Sequence, residues 1–140
     1  MVEIEIRKLR ENEFDGLADL FEGVLAPSLP EHRKALLSSY NNPQTIQRSV
    51  VCLQDSKVVG GYVAQIREDP SYLHFMAVCS NHRRNGVGTE LLKHFEESAK
   101  SRGCLRLELN ADENNFRWYE KRGYIAESNI DGVICMYKDL

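Results

Sequence analysis

The chain of 140 residues has only four cysteines, four prolines and one tryptophan, and each scarcity excludes something. Cys52, Cys79, Cys104 and Cys135 are widely spaced and form no C-x-x-C pair. Each sits in or beside a strand-like run, so they read as small reduced hydrophobes rather than a disulfide framework or thiolate metal site. His32, His74, His82 and His94 show no H-E-x-x-H or comparable ligand spacing, and no metal is expected. Apolar runs fall far short of a bilayer span, and the start Met1-Val2-Glu3-Ile4-Glu5 lacks a signal-peptide pattern. A soluble, cytoplasmic protein with no membrane partner is expected. With 18 basic against 21 acidic residues, a net charge of −3 and no polybasic run, nucleic acid is not an expected partner. There is no repeat and no low-complexity linker, and the length suits a single domain over residues 1–140.

Periodicity supplies the elements. Val2, Ile4 and Ile6 alternate with charged residues as in a half-buried strand, and Phe14, Leu17, Ala18, Phe21 and Leu25 recur at helical spacing. Pro27 and Pro30 break the chain before a second, shorter helix expected over residues 31–39, and Asn41-Asn42-Pro43 is a turn. Strands are predicted over residues 49–53 and 58–66, joined by the hairpin Gln54-Asp55-Ser56-Lys57, and over 72–78 after the turn Asp69-Pro70-Ser71. A helix over 89–102 buries Val87, Leu91, Leu92, Phe95 and Ala99 and ends at Gly103. Leu105, Leu107 and Leu109 mark a strand. Asp112 caps a short helix that carries Tyr119 and ends at Gly123, and Asn129-Ile130-Asp131-Gly132 turns between strands 124–127 and 133–137. The order is β-α-α-β-β-β-α-β-α-β-β, an α/β (α+β) chain.

Between the strand 72–78 and the helix lies His82-Arg83-Arg84-Asn85-Gly86-Val87-Gly88-Thr89. Free N–H groups and the positive end of the helix dipole meet there, so two arginines are unfavourable unless an anion binds. A Rossmann fingerprint would need a small residue where Leu91 stands, and a P-loop would need Gly-Lys-Ser/Thr. Arg83-x-x-Gly86-x-Gly88 instead resembles the pyrophosphate-binding motif of the GNAT superfamily of acyl-CoA-dependent N-acyltransferases. Asn114-Asn115-Phe116-Arg117-Trp118-Tyr119-Glu120-Lys121-Arg122-Gly123-Tyr124 resembles the late signature of the same family. The resemblance is close from Val50 to Leu140 and rests on element order alone before that.

The resemblance implies a GNAT fold: a mixed, mostly antiparallel sheet with helices on both faces, splayed at Met76, Ala77 and Val78. It implies direct transfer of acetyl from acetyl-CoA to a primary amine in a ternary complex, by a monomer or homodimer. A non-catalytic acyl-CoA sensor or interaction module is the alternative. Arg83, Arg84, Asn85, Gly86, Val87, Gly88 and Thr89 would hold the pyrophosphate. Backbone groups of Met76, Ala77 and Val78 would meet the pantetheine arm and thioester oxygen, with Asn110 and Asn115 as further partners of that arm. Tyr119 is the candidate general acid, since a phenol near ~10 lies close to a thiol near ~8.5.

The base is less legible. Tyr72, His74 and Met76 are expected to share a face. Tyr72 falls where some members carry a catalytic Glu, which leaves His74, or a water held by Glu68 or Asp69, to take the amine proton. Asp15, Asp19 and Glu22 form a stripe that could draw a cationic amine, although a solvated helix face is the stronger reading. Nothing in the sequence selects the acceptor.

Overall fold

The computed structural model describes residues 3–24, 47–82 and 86–140. The helix expected over 31–39, the Asn41-Asn42-Pro43 turn, Leu25 and the prolines at 27 and 30 lie outside them. Described in chain order are strand β1 (Glu5–Lys8), helix α1 (Phe14–Val24), strands β2 (Gln47–Gln54), β3 (Lys57–Gln65) and β4 (Ser71–Val78), helix α2 (Val87–Ser101), strand β5 (Arg106–Ala111), the short helix α3 (Phe116–Glu120) and strands β6 (Ile125–Ile130) and β7 (Val133–Asp139). They form one seven-stranded sheet in the order β1-β2-β3-β4-β5-β7-β6. Every neighbour is antiparallel except β4 and β5. No described helix is long and apolar enough to cross a membrane.

Both tight hairpins form where the turn residues ask for them. Asp55 and Ser56 take φ of 51° and 64°, and Asp131 and Gly132 take 53° and 82°, the left-handed pair that matches the twist of two-residue hairpins. The five residues of the expected α2 stripe are all buried. They pack with Leu73, Leu107, Leu109 and Met136 on one face of the sheet. Leu17, Ala18 and Phe21 of α1 cover the other face with Val51, Val63 and Ala77. Leu105 departs from its expected strand role. It is 67% exposed, because β5 starts one residue later and Leu105 serves through its carbonyl, which accepts the Leu140 N–H at 2.9 Å.

Two adjacent glycines in β3 let both helices approach the sheet at one level. A Cβ on Gly60 would meet Leu91 of α2 at 3.0 Å. On Gly61 it would meet Leu17 of α1 at 2.5 Å and the Val50 carbonyl at 2.6 Å. Leu17 could rotate, but the carbonyl is part of the β2–β3 ladder. Gly61→Ala is therefore expected to cost about 1–3 kcal/mol by overpacking, read as a lower urea midpoint at unchanged slope. An unchanged midpoint would show that α1 rides loosely on the sheet.

The parallel β4–β5 contact is short. Only Ser71↔Leu107, Tyr72↔Glu108 and Leu73↔Leu109 pair, although β4 continues to Val78 and β5 to Ala111. The strands part from residue 74 onward, four residues before the Val78 end of β4 and two before the Met76 expected from the sequence. A bulge lies at the fork: Val63 pairs with Phe75 and Ala64 with Leu73, leaving His74 as the extra residue. Leu73 and Met76 consequently both pack on the α2 side while Phe75 and Ala77 pack on the α1 side. The expectation that Tyr72, His74 and Met76 share a face fails, because an inserted residue breaks the alternation.

Candidate active site

The fork ends against the start of α2. Gly86, at φ 79°, is the N-cap, and the first helical bond runs from the Glu90 N–H to the Gly86 carbonyl at 3.0 Å. The N–H groups of Val87, Gly88 and Thr89 precede it without an intrahelical acceptor. The Val87 side chain is fully buried, so its contribution to a ligand is confined to the backbone. Gly86 is open: a Cβ there meets nothing within 4 Å. Gly88 faces inward, where a Cβ would lie 3.3 Å from the Trp118 ring and 3.6 Å from Val78. The end of β4, the start of α2 and α3 thus converge. Arg83, Arg84 and Asn85 lie outside the described residues.

Along the fork the backbone of β4 divides its polar groups between two edges. Cys79 donates its N–H to the Val59 carbonyl at 2.8 Å. Strand alternation then sends the groups of Ala77 into the ladder with Gly61 and turns those of Met76 and Val78 toward the gap. Of the three residues named from the sequence, only Met76 and Val78 can offer N–H and C=O groups there. Across the gap, Asn110 is exposed on β5. Asn115 is exposed too, but its amide oxygen accepts the Asp112 N–H at 2.8 Å, while Asp112 accepts from Asn114 and Asn115 at 2.8 and 3.0 Å. The amino group of Asn115 and one lone pair of its amide oxygen are left to a ligand.

Tyr119 is 7% exposed, with Trp118 edge-on at 5.0 Å and Tyr124 at 5.8 Å. Burial, and secondarily Asp112, push its phenol up to about 12, against a small opposing effect of Arg122. The simple match of a ~10 phenol to a ~8.5 thiol therefore does not hold. Desolvation raises every neutral acid, however. Burial likewise pushes the Cys52 thiol up to about 11, so desolvation moves a thiol in the same direction as the phenol.

His74, half-buried, stands 4.8 Å from the Tyr72 ring and 6.2 Å from Phe75, and its Nε2 is buried without a partner among the described residues. Burial first, and the Arg67 charge second, hold it below the usual histidine value, so it is a neutral imidazole able to accept a proton. Glu68 and Asp69 are exposed in the turn before β4. That is the end where β4 and β5 still pair, so the water-holding role does not suit their position. Sequence reasoning passed over Glu108, level with Tyr72 in the paired stretch just before the fork and bonded to Arg106 at 3.2 Å. Its place in the β5 alternation was the available signal. Of the acidic stripe, Asp15 and Asp19 are exposed on α1, and the Glu22 side chain lies outside the described residues.

The neutral histidines have a consequence for stability. His94, bonded to the Tyr62 hydroxyl at 2.7 Å, is also held low, mainly by burial and against the Glu97 charge. Both histidines bind protons less readily folded than unfolded, so the stability they contribute is present above the unfolded value near ~6.5 and lost as pH falls below it. The melting temperature is expected to drop between about pH 7 and about pH 5, and to drop less in a His74→Gln/His94→Gln variant. Equal acid sensitivity of both proteins over this range would assign the loss to groups other than these histidines, since a carboxylate such as Glu13, which Arg7 holds below the usual range, gives up its stabilisation only at lower pH.

Comparison with known proteins agrees with this architecture. The chain is 25% identical to glucosamine 6-phosphate N-acetyltransferase of Trypanosoma brucei brucei, covering 90% of this chain and 92% of that protein. The PaiA N-acetyltransferase of Thermoplasma acidophilum, solved in complex with coenzyme A, superposes with a TM-score of 0.78 at 20% identity over 99% of both chains. The aminoglycoside 6'-N-acetyltransferase of Enterococcus faecium superposes at 0.80, with 22% identity over 96% of both. At such identities the structures carry the fold, which is the expected GNAT fold. Residues 12–124 match the acetyltransferase (GNAT) family, and the chain belongs to that family of acyltransferases.

Proposed function

We propose that residues 1–140 form one acetyltransferase domain that binds acetyl-CoA and passes its acetyl group directly to a primary amine in a ternary complex. The observation that carries this reading is the fork: two parting strands whose free edge leads to three unpaired N–H groups at the start of α2. An extended amide-bearing chain suits such an edge, and a diphosphate suits a helix start. Arg83, Arg84 and Asn85 would add charge and donors to the Gly86–Thr89 backbone, with Asn110 and the amino group of Asn115 on the far side. Coenzyme A in the PaiA structure supports the choice of ligand.

In this reading the Met76 or Val78 N–H steadies charge on the thioester oxygen as the amine attacks, an interaction strongest at the transition state. His74, neutral and at the fork, takes the amine proton, with Glu108 paired to Tyr72 two residues before it. The phenol of Tyr119 gives its proton to the departing sulfur. The acceptor is a primary amine. The relatives named as acetyltransferases of an amino sugar phosphate and of aminoglycosides supply the first compounds to try. The test is steady release of coenzyme A from acetyl-CoA across amino sugars, aminoglycosides, polyamines and peptide amines. Turnover with at least one class is expected. Tight coenzyme A binding with no turnover for any class would favour the acyl-CoA sensor.

A further inference from the structure

Arg122 belongs to no role assigned so far, yet its side chain is engaged with both α2 and α3. Its Nη2 donates to Thr89 Oγ1 at 3.0 Å, in the first turn of α2, and its Nη1 donates to the Trp118 carbonyl at 2.8 Å. The guanidinium carbon lies 3.7 Å above the Trp118 ring, within the range of a cation–π contact. Its Nε is buried without a partner among the described residues. An arginine free to choose would expose that donor to water, so this pose carries a desolvation cost that the other contacts must offset. The backbone is held as well: the Arg122 carbonyl accepts from Lys138 Nζ at 2.9 Å, and Lys138 is itself bound to Glu96 of α2 at 3.1 Å.

The arrangement clamps one short element. Helix α3 has five residues, too few to be stable alone, so its angle to α2 is set by what ties it down. Arg122 supplies the tie at the fork end, through Thr89, and Lys138 the tie further along α2, through Glu96. Between them sits the pair Trp118–Tyr119, with Trp118 against Gly88. We infer that Arg122 is a positioning residue, which pins α3 to the first turn of α2 and thereby fixes the Tyr119 hydroxyl relative to the thioester. The inference rests on the reading of Tyr119 given above for its catalytic consequence, but the pinning itself is independent of it.

The test uses Arg122→Met, which keeps a long side chain without fork or charge, and Arg122→Lys, which keeps the charge but cannot span both acceptors. Trp118 is the only tryptophan of the chain, so its emission reports the clamp. Arg122→Met is expected to change the Trp118 emission and to lower kcat by about 10–100-fold, the scale of misplaced catalytic groups. Its KM for acetyl-CoA should stay within about threefold, since the substrate-binding groups are intact. Arg122→Lys should fall between it and the wild type, which keeps the inference testable if the Met variant folds poorly. In a Tyr119→Phe background the Arg122→Met loss should shrink to less than about threefold, because a displaced ring without its hydroxyl has little left to lose.

Wild-type emission and kcat in Arg122→Met would overturn the inference whatever Tyr119 does. So would a raised KM at unchanged kcat, equal in both backgrounds, which would make Arg122 a phosphate ligand. If Tyr119→Phe alone keeps wild-type turnover, the acid reading fails separately. Pinning then stands on a changed emission with a lowered kcat in Arg122→Met, and falls without them.

Discussion

Tyr119→Phe is expected to lower kcat by about 10²–10⁴-fold, the usual worth of a positioned general acid, with little change in KM for acetyl-CoA. The ring is held edge-on by Trp118 and Tyr124, so losing the hydroxyl should leave packing and cofactor affinity in place. Burial sharpens the pH dependence. A phenol pushed up to about 12 stays protonated through the working range of the enzyme, so the alkaline limb of the rate profile belongs to another group and should not move in the variant. An ordinary tyrosine would have shifted it. Steady-state kinetics from about pH 6 to about pH 10 decide the matter. Wild-type turnover in the variant would make Tyr119 a packed aromatic and leave water or another group to protonate the sulfur.

Gly86→Asp should weaken coenzyme A binding by roughly 10–100-fold, equivalent to losing one or two charge-assisted contacts, while the left-handed φ of 79° costs about 1–2 kcal/mol of stability and the melting temperature falls by only a few degrees. Nothing lies within 4 Å of the position a Cβ would take, and aspartate tolerates a left-handed φ better than most residues. The carboxylate would sit beside the unpaired N–H groups of Val87, Gly88 and Thr89. There it competes for the donors that a diphosphate would use and repels the phosphates themselves. Titration calorimetry beside a melting curve measures both effects. Unchanged affinity would remove the anion-site reading of this turn.

The parts of the molecule visible in its sequence are those where one local pattern met no rival. The α2 stripe is buried residue for residue because 3.6-residue periodicity runs unbroken through it, and the two hairpins follow from Asp55-Ser56 and Asp131-Gly132. The bulge at His74 left no trace, since residues 72–76 are aromatic, apolar or histidine throughout and no charged residue marks which side is which. Arg122 was illegible for another reason: its acceptor Thr89 is 33 residues away in the chain, and only the docking of α3 on α2 brings them together. The local role of Asn115 was illegible as well, because only the folded turn shows its oxygen accepting the Asp112 N–H.

The fork also gives β4 two kinds of backbone amide within a few residues. Those of Ala77 and Cys79 donate into β3, whereas those of Met76 and Val78 face the opening. Hydrogen–deuterium exchange in this strand should therefore alternate residue by residue, slow then fast, in a segment whose side chains are packed throughout. An extended ligand entering the gap would slow Met76 and Val78 while leaving their neighbours unchanged. Two amides would then report occupancy of the site with no acceptor present, and uniform protection along residues 75–79 without ligand would mean that the strands close on each other in solution.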